Sequence, residues 1–203
     1  MRNKNIVKTT QIAMLIALVV VLQTIGTFVK VGVFNLSLVL IPIVIGGYLF
    51  GAKPGAVLGA AFGVMALIYS ISGSDVGGFM MWQANWWLTA IVCLVKGTAA
   101  GWVAGWISTT LAEKNKTFLG ILLASMAAPI VNTGIFLAFL TTCYKDTLIS
   151  WAAGSGYGSS ASELATYILM GIVLVNFAFE FITTTVLSPA SKRIIEAIQK
   201  TQR

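Results

Sequence analysis

The sequence predicts an all-α integral membrane protein, a compact bundle of six transmembrane helices with both termini cytoplasmic. Three observations carry that reading. Residues 9–187 break into six apolar stretches. The lysines and arginines between them fall almost entirely on alternate sides, the pattern that orients membrane proteins. The apolar–polar alternation of a membrane barrel is missing, and backbone groups in lipid must bond internally, so helices are the default.

The spans are expected at 9–28, 36–50, 56–71, 86–109, 118–142 and 164–187. The first is long enough to cross a bilayer and lacks a clear small-residue cleavage site, so it reads as a retained helix, not a signal peptide. The second and third are short, and Gly51-Ala52-Lys53-Pro54-Gly55 joins them as the turn of a tight helical hairpin. Positive charges settle the orientation. Arg2, Lys4, Lys8, Lys53, Lys114, Lys116, Lys192, Arg193, Lys200 and Arg203 share one face, while Lys30 and Lys145 lie on the other. That ten-to-two bias places the first face in the cytoplasm. Lys96 belongs to neither, because it lies within the fourth span. The external loops, at 29–35, 72–85 and 143–163, are longer than the basic cytoplasmic turns and hold glycine, serine and aromatics.

Composition removes most other classes. The chain has 203 residues, 58% hydrophobic and 9% charged, against roughly 25% charged in soluble domains. Six spans leave no room for a soluble domain, so 1–203 reads as one membrane domain. The net charge of +7 sits in loops and tails beside apolar spans, which points to the lipid bilayer and not to nucleic acid. Histidine is absent, which removes Ser–His and Cys–His catalysis and every His-dependent metal site. Of six carboxylates only Glu180 lies inside a span, so no paired acid/base site is available there. Cys93 and Cys143 read as small apolar residues. No catalytic residues, metal site or cofactor are expected in this chain. No Walker motif occurs, so any ATP-driven step needs another subunit.

Within the spans, small and polar residues carry the information. Ala13 and Ala17 lie four apart on one face of the first helix, where they either pack internally or let a partner helix approach closely. Gly55, Gly59 and Gly63, and again Gly97, Gly101 and Gly105, form ridges at helical spacing, suited to tight packing within the monomer. Lys96 is about 15 Å along the fourth span, and a mid-bilayer lysine costs about 2.5–3.5 kcal/mol, so it needs a partner or an aqueous cavity. Glu180 is a possible partner, with Asn176 one turn away and Asn132 shortly after Pro129. These residues form either a ligand pocket between the fourth, fifth and sixth spans or a buried structural network. Trp82 and Asn85 precede the fourth span and could cover a ligand, while Trp87 suits an interfacial belt. Tyr157, within Gly154-Ser155-Gly156-Tyr157-Gly158, is either a lid aromatic or an ordinary loop residue.

Taken together, the six-helix topology, Ala13-x3-Ala17, Ala-Pro-Ile-Val-Asn-Thr-Gly at 128–134 and Lys96-Gly97 resemble the substrate-binding subunit (S component) of energy-coupling factor (ECF) vitamin transporters, of the riboflavin/folate/pantothenate-type branch. The resemblance implies a bacterial cell-membrane protein that binds a small-molecule vitamin from outside. It also implies partners: a transmembrane coupling subunit that docks on Ala13 and Ala17, and two ATPase subunits. The S component then rotates on the coupling subunit to release the vitamin inside. By position, Asn132 matches a helix-5 asparagine that contacts ligand, and Asn176 occupies a helix-6 position where polar ligand contacts are common. Trp82, Asn85, Tyr157 and Lys96 match no fixed ligand role. A buried lysine beside asparagines suits a small polar anion, so pantothenate ranks first, before folate, riboflavin or a pyridoxine-like ligand. A self-sufficient secondary transporter or channel is the alternative; a membrane enzyme is disfavoured by the missing histidines and clustered acids.

Overall fold

The computed structural model describes residues 4–31, 34–35 and 38–201. Arg2, Arg203 and the first residues of the second expected span lie outside them. The described chain is an integral membrane bundle of helices, with one minimal antiparallel ladder of β1 (Lys30–Val31) and β2 (Phe34–Asn35).

Ten α-helices follow in chain order among the described residues: α1 (Lys4–Gly26), α2 (Leu40–Phe50), α3 (Ala52–Ser72), α4 (Val76–Ala84), α5 (Trp86–Glu113), α6 (Thr117–Cys143), α7 (Lys145–Gly154), α8 (Ala161–Tyr167), α9 (Ala178–Val186) and α10 (Ser188–Thr201). A π-helical segment, π1 (Ile168–Phe177), joins α8 to α9, so the last apolar stretch is one helical run with a widened middle. Helices α1, α3, α5 and α6 are long and apolar enough to cross a membrane; α2 and residues Ala161–Ile172 are shorter apolar helices.

The hairpin between α2 and α3 is tighter than the sequence suggests. Its turn shrinks to Gly51, whose φ of 96° and ψ of −179° fall in a region open essentially to glycine alone. Pro54 sits in the first turn of α3, where its missing N–H leaves no helical bond unmade. Helix α3 then runs antiparallel to α5 with their glycines in register. Gly55 meets Gly101, Gly59 meets Gly97 and Gly63 meets Cys93 and Leu94. A Cβ on Gly63 would lie 2.9 Å from the Leu94 Cα, and one on Gly47 of α2 would lie 2.9 Å from the Gly105 Cα. Lipid supplies no hydrophobic drive between helices, so such backbone approach is what holds them together.

Two elements arise where loops are expected. Helices α4 and α7 occupy much of 72–85 and 143–163. Each is too short to be stable alone; tertiary burial holds them. Met81, Leu148 and Trp151 are buried in one cluster with Leu140, Leu164 and Tyr167, and the Trp151 Nε1–H donates to the Met80 sulfur at 3.0 Å. A capping box between Ser160 and Glu163 starts α8. At the far end of the chain, α10 is amphipathic: Ile195 is buried with Ile45 and Ile121. On its polar side, Lys192 pairs with Glu196 at 3.6 Å.

Candidate functional site

The sequence places a polar cavity where five elements meet. Thr89, Val92, Cys93 and Lys96 follow the i, i+3, i+4, i+7 spacing of one helical face, and α5 turns that face inward. Ala66 and Ser70 come from α3, and Gly78 and Met81 from α4. Asn132, Thr133 and Phe136 come from α6, Asn176 from π1, and Asp75 from the corner before α4. Gly73, with a φ of 77°, ends α3 in the left-handed conformation and reverses the chain so that Asp75 returns over the bundle. The cavity measures ≈ 60 Å³, whereas one water needs about 10–15 Å³ on such a measure. That is room for a few waters.

Pro129 sets the local geometry of α6. A proline in a helix cannot bond the carbonyl four residues back, which here is that of Ser125. The Thr184 hydroxyl of α9 shares its proton between that carbonyl, at 2.9 Å, and the Glu180 carbonyl of its own helix, at 2.7 Å. The freed acceptor therefore becomes a cross-link from α6 to α9. One turn from Thr184 is Glu180, almost fully buried, and its carboxylate engages the Asn132 side chain. Lys96 acts on the same carboxylate electrostatically. Its Nζ lies 5.8 Å from the Phe62 ring centre and 5.2 Å from that of Phe136. The widened π1 backbone carries Asn176 to the cavity wall; π-helical turns recur at functional sites.

Asn132 Oδ1, Asn176 Oδ1 and Glu180 Oε2 are buried without a hydrogen-bond partner. Each unmade bond of that kind costs about 1–3 kcal/mol. Two of the three, on Asn132 and Asn176, belong to residues that line the cavity, and a polar solute that donates hydrogen bonds satisfies them. With the Lys96 ammonium beside these acceptors, the cavity offers both signs of polarity.

Of the residues singled out from the sequence, Lys96, Asn132 and Asn176 line this cavity together. Trp82, Asn85 and Tyr157 are not among its lining residues. Trp82 packs edge-on against Trp86 with centroids 6.2 Å apart. Asn85 caps α5, accepting from the Leu88 N–H at 3.3 Å, and its carbonyl accepts from the Tyr144 hydroxyl at 3.0 Å. Tyr157 packs on Tyr167, with centroids 5.5 Å apart. The structure adds Asp75, Ser70, Thr89, Cys93, Thr133 and Phe136. Thr89 and Cys93 share the helical face of Lys96, so periodicity alone could have found them. Asp75 carried one signal, as the lone carboxylate in 72–85.

Ala13 and Ala17 lie far from this cavity in the chain and are exposed on α1, beside exposed Met14 and Leu18. Of the four long apolar helices, α1 is the least buried.

Among curated proteins nothing matches the chain. A family model does: that of the ECF transporter substrate-specific component, over residues 7–191. The match takes in the cavity, both glycine ridges and the exposed alanines of α1, and this chain therefore belongs to the ECF transporter substrate-specific component family.

Proposed function

We propose that the chain is the high-affinity binding subunit of an ATP-driven ECF transporter, taking up a small water-soluble vitamin through the cavity between α3, α4, α5, α6 and π1. The observation that carries this is the meeting of the unpartnered buried oxygens of Asn132 and Asn176 with a lysine in a transport-family protein. Asn132 and Asn176 accept hydrogen bonds from the vitamin, and Lys96 attracts its anionic group. Pantothenate ranks first on that chemistry, with folate, riboflavin or a pyridoxine-like ligand next. Drug-sized ligands fill roughly 300–1,000 Å³, so the cavity of ≈ 60 Å³ has to widen. We assign that widening to a displacement of α4, which is short and bounded by left-handed Gly73 and extended Asn85, against the packing of Met81 and the Trp151–Met80 contact. Trp82, Asn85 and Tyr157 act from outside the cavity, where α4 and the 143–163 segment close over it.

In this reading α1, α2, α3, α5, α6 and the α8–π1–α9 run are the six spans. Both termini are cytoplasmic, and the membrane is that of a bacterial cell. Ala13 and Ala17 form the seat for the transmembrane coupling subunit, and two ATPase subunits supply the energy. Mass spectrometry of small molecules that co-purify with the chain, followed by uptake in proteoliposomes, tests the proposal. A retained vitamin, transported only when the ECF module and ATP are present, supports it. Uptake driven by a proton gradient with this chain alone would identify a secondary transporter and overturn it.

A further inference from the structure

We propose that Glu180, which is not among the lining residues of the cavity, is a positioning residue of the site: its carboxylate holds the Asn132 amide in one orientation, so that Asn132 meets a solute only as a hydrogen-bond acceptor. The inference rests on the reading of the cavity as the substrate site. It names the kind of group that Asn132 selects, a hydroxyl or an N–H.

Glu180 stands in the first turn of α9, just after the π-helical segment, and is buried. A buried carboxylate is costly unless it is compensated. Two groups act on it: the Asn132 side chain, through a hydrogen bond, and Lys96, through its charge. An ionised carboxylate only accepts, whereas an asparagine amide donates from Nδ2 and accepts at Oδ1. The bond to Glu180 therefore takes Nδ2 and leaves Oδ1. That oxygen is buried without a partner, and Asn132 lines the cavity. A reversed amide would set two acceptors against each other where the local dielectric is low. The seam between α6 and α9 is held at a second point. Thr184, one turn after Glu180, reaches the Ser125 carbonyl, which lies about two turns before Asn132. This link pins α9 to α6 and keeps Glu180 opposite Asn132. Lys96 compensates the carboxylate from the cavity wall, and Asn132 Oδ1 stays open to a donor.

The test uses the purified full-length chain in detergent. With nitrogen-15 asparagine labelling, the Asn132 side-chain amide is the signal missing from Asn132→Asp. One of its protons is expected downfield, shifted by the carboxylate it bonds. The shift should survive Glu180→Asp and vanish in Glu180→Leu, which is of similar size but accepts nothing. An unmoved signal in Glu180→Leu overturns the proposal with no solute present. The second measurement is calorimetric titration with pantothenate, folate, riboflavin and pyridoxine, continued with whichever binds wild type most tightly. Asn132→Asp sets a second carboxylate beside Glu180 and should weaken binding at least tenfold. Adding Glu180→Gln reverses donor and acceptor along the bond and again leaves an oxygen free at position 132, so most of the loss should be recovered. Adding Glu180→Leu relieves the charge equally but donates nothing, and should recover none of it. No recovery with Glu180→Gln, or equal recovery with both, overturns the proposal while the wild-type titration leaves a substrate site in place. If wild type binds none of the four, the reading of the cavity falls and this inference with it.

Discussion

The ammonium of Lys96 on α5 lies 5.2 Å from the centre of the Phe136 ring on α6. The ring's negative face offsets part of the cost of holding that charge inside the bundle. Such contacts contribute about 0.5–2 kcal/mol, so Phe136→Leu should lower affinity for the co-purified vitamin by about two- to thirtyfold. Titration calorimetry against wild type measures it. An unchanged affinity would show that the Phe62 ring alone steadies the lysine.

Asn132→Ala removes a side chain that bridges the cavity and the Glu180 carboxylate. Vitamin binding should weaken more than tenfold with expression unaltered. A variant that binds like wild type would make Asn132 a packing residue between α6 and α9.

Thr184→Val strips the donor from the Ser125 carbonyl that Pro129 leaves open. A buried orphan carbonyl costs about 1–3 kcal/mol, so the melting temperature in detergent should drop. Pro129→Ala in the same background supplies an N–H to that carbonyl and should restore stability. Additive losses in the double variant would contradict the pairing.

Gly59→Ala places a Cβ against the Gly97 carbonyl oxygen, a backbone atom with nowhere to go. The chain should lose thermal stability sharply or fail to accumulate. Gly134→Ala, with nothing within 4 Å of the added Cβ, should be neutral or stabilising by up to about 1 kcal/mol from helix propensity. Scanning fluorimetry of both variants checks the contrast, and equal melting temperatures would refute the ridge packing.

Ala13→Trp and Ala17→Trp enlarge an exposed face of α1, a helix that supplies no residue to the cavity lining. Binding by the purified chain should persist while uptake with the ECF module is lost. Wild-type uptake by the double variant would move the docking surface elsewhere.

The membrane-helical class and the apolar helices α1, α3, α5 and α6 were legible from composition and hydropathy, because lipid forces each segment to satisfy its own backbone. The glycine ridges were legible as packing surfaces from their spacing of four, although not as partners of one another. Helices α4 and α7 were read as loop because nine- and ten-residue helices carry little signal of their own.

The sequence by itself determined that Lys96, Asn132 and Asn176 lie at depth among apolar residues, since a polar side chain within a hydrophobic span is conspicuous wherever it points. Only the tertiary structure decided that these three share a cavity with Asp75, and that Trp82, Asn85 and Tyr157 are not among its lining residues. The reason is rotational. Which face of a membrane helix turns inward is settled by its neighbours: the glycine register of α3 and α5, the Thr184–Ser125 link and the π-turn before α9.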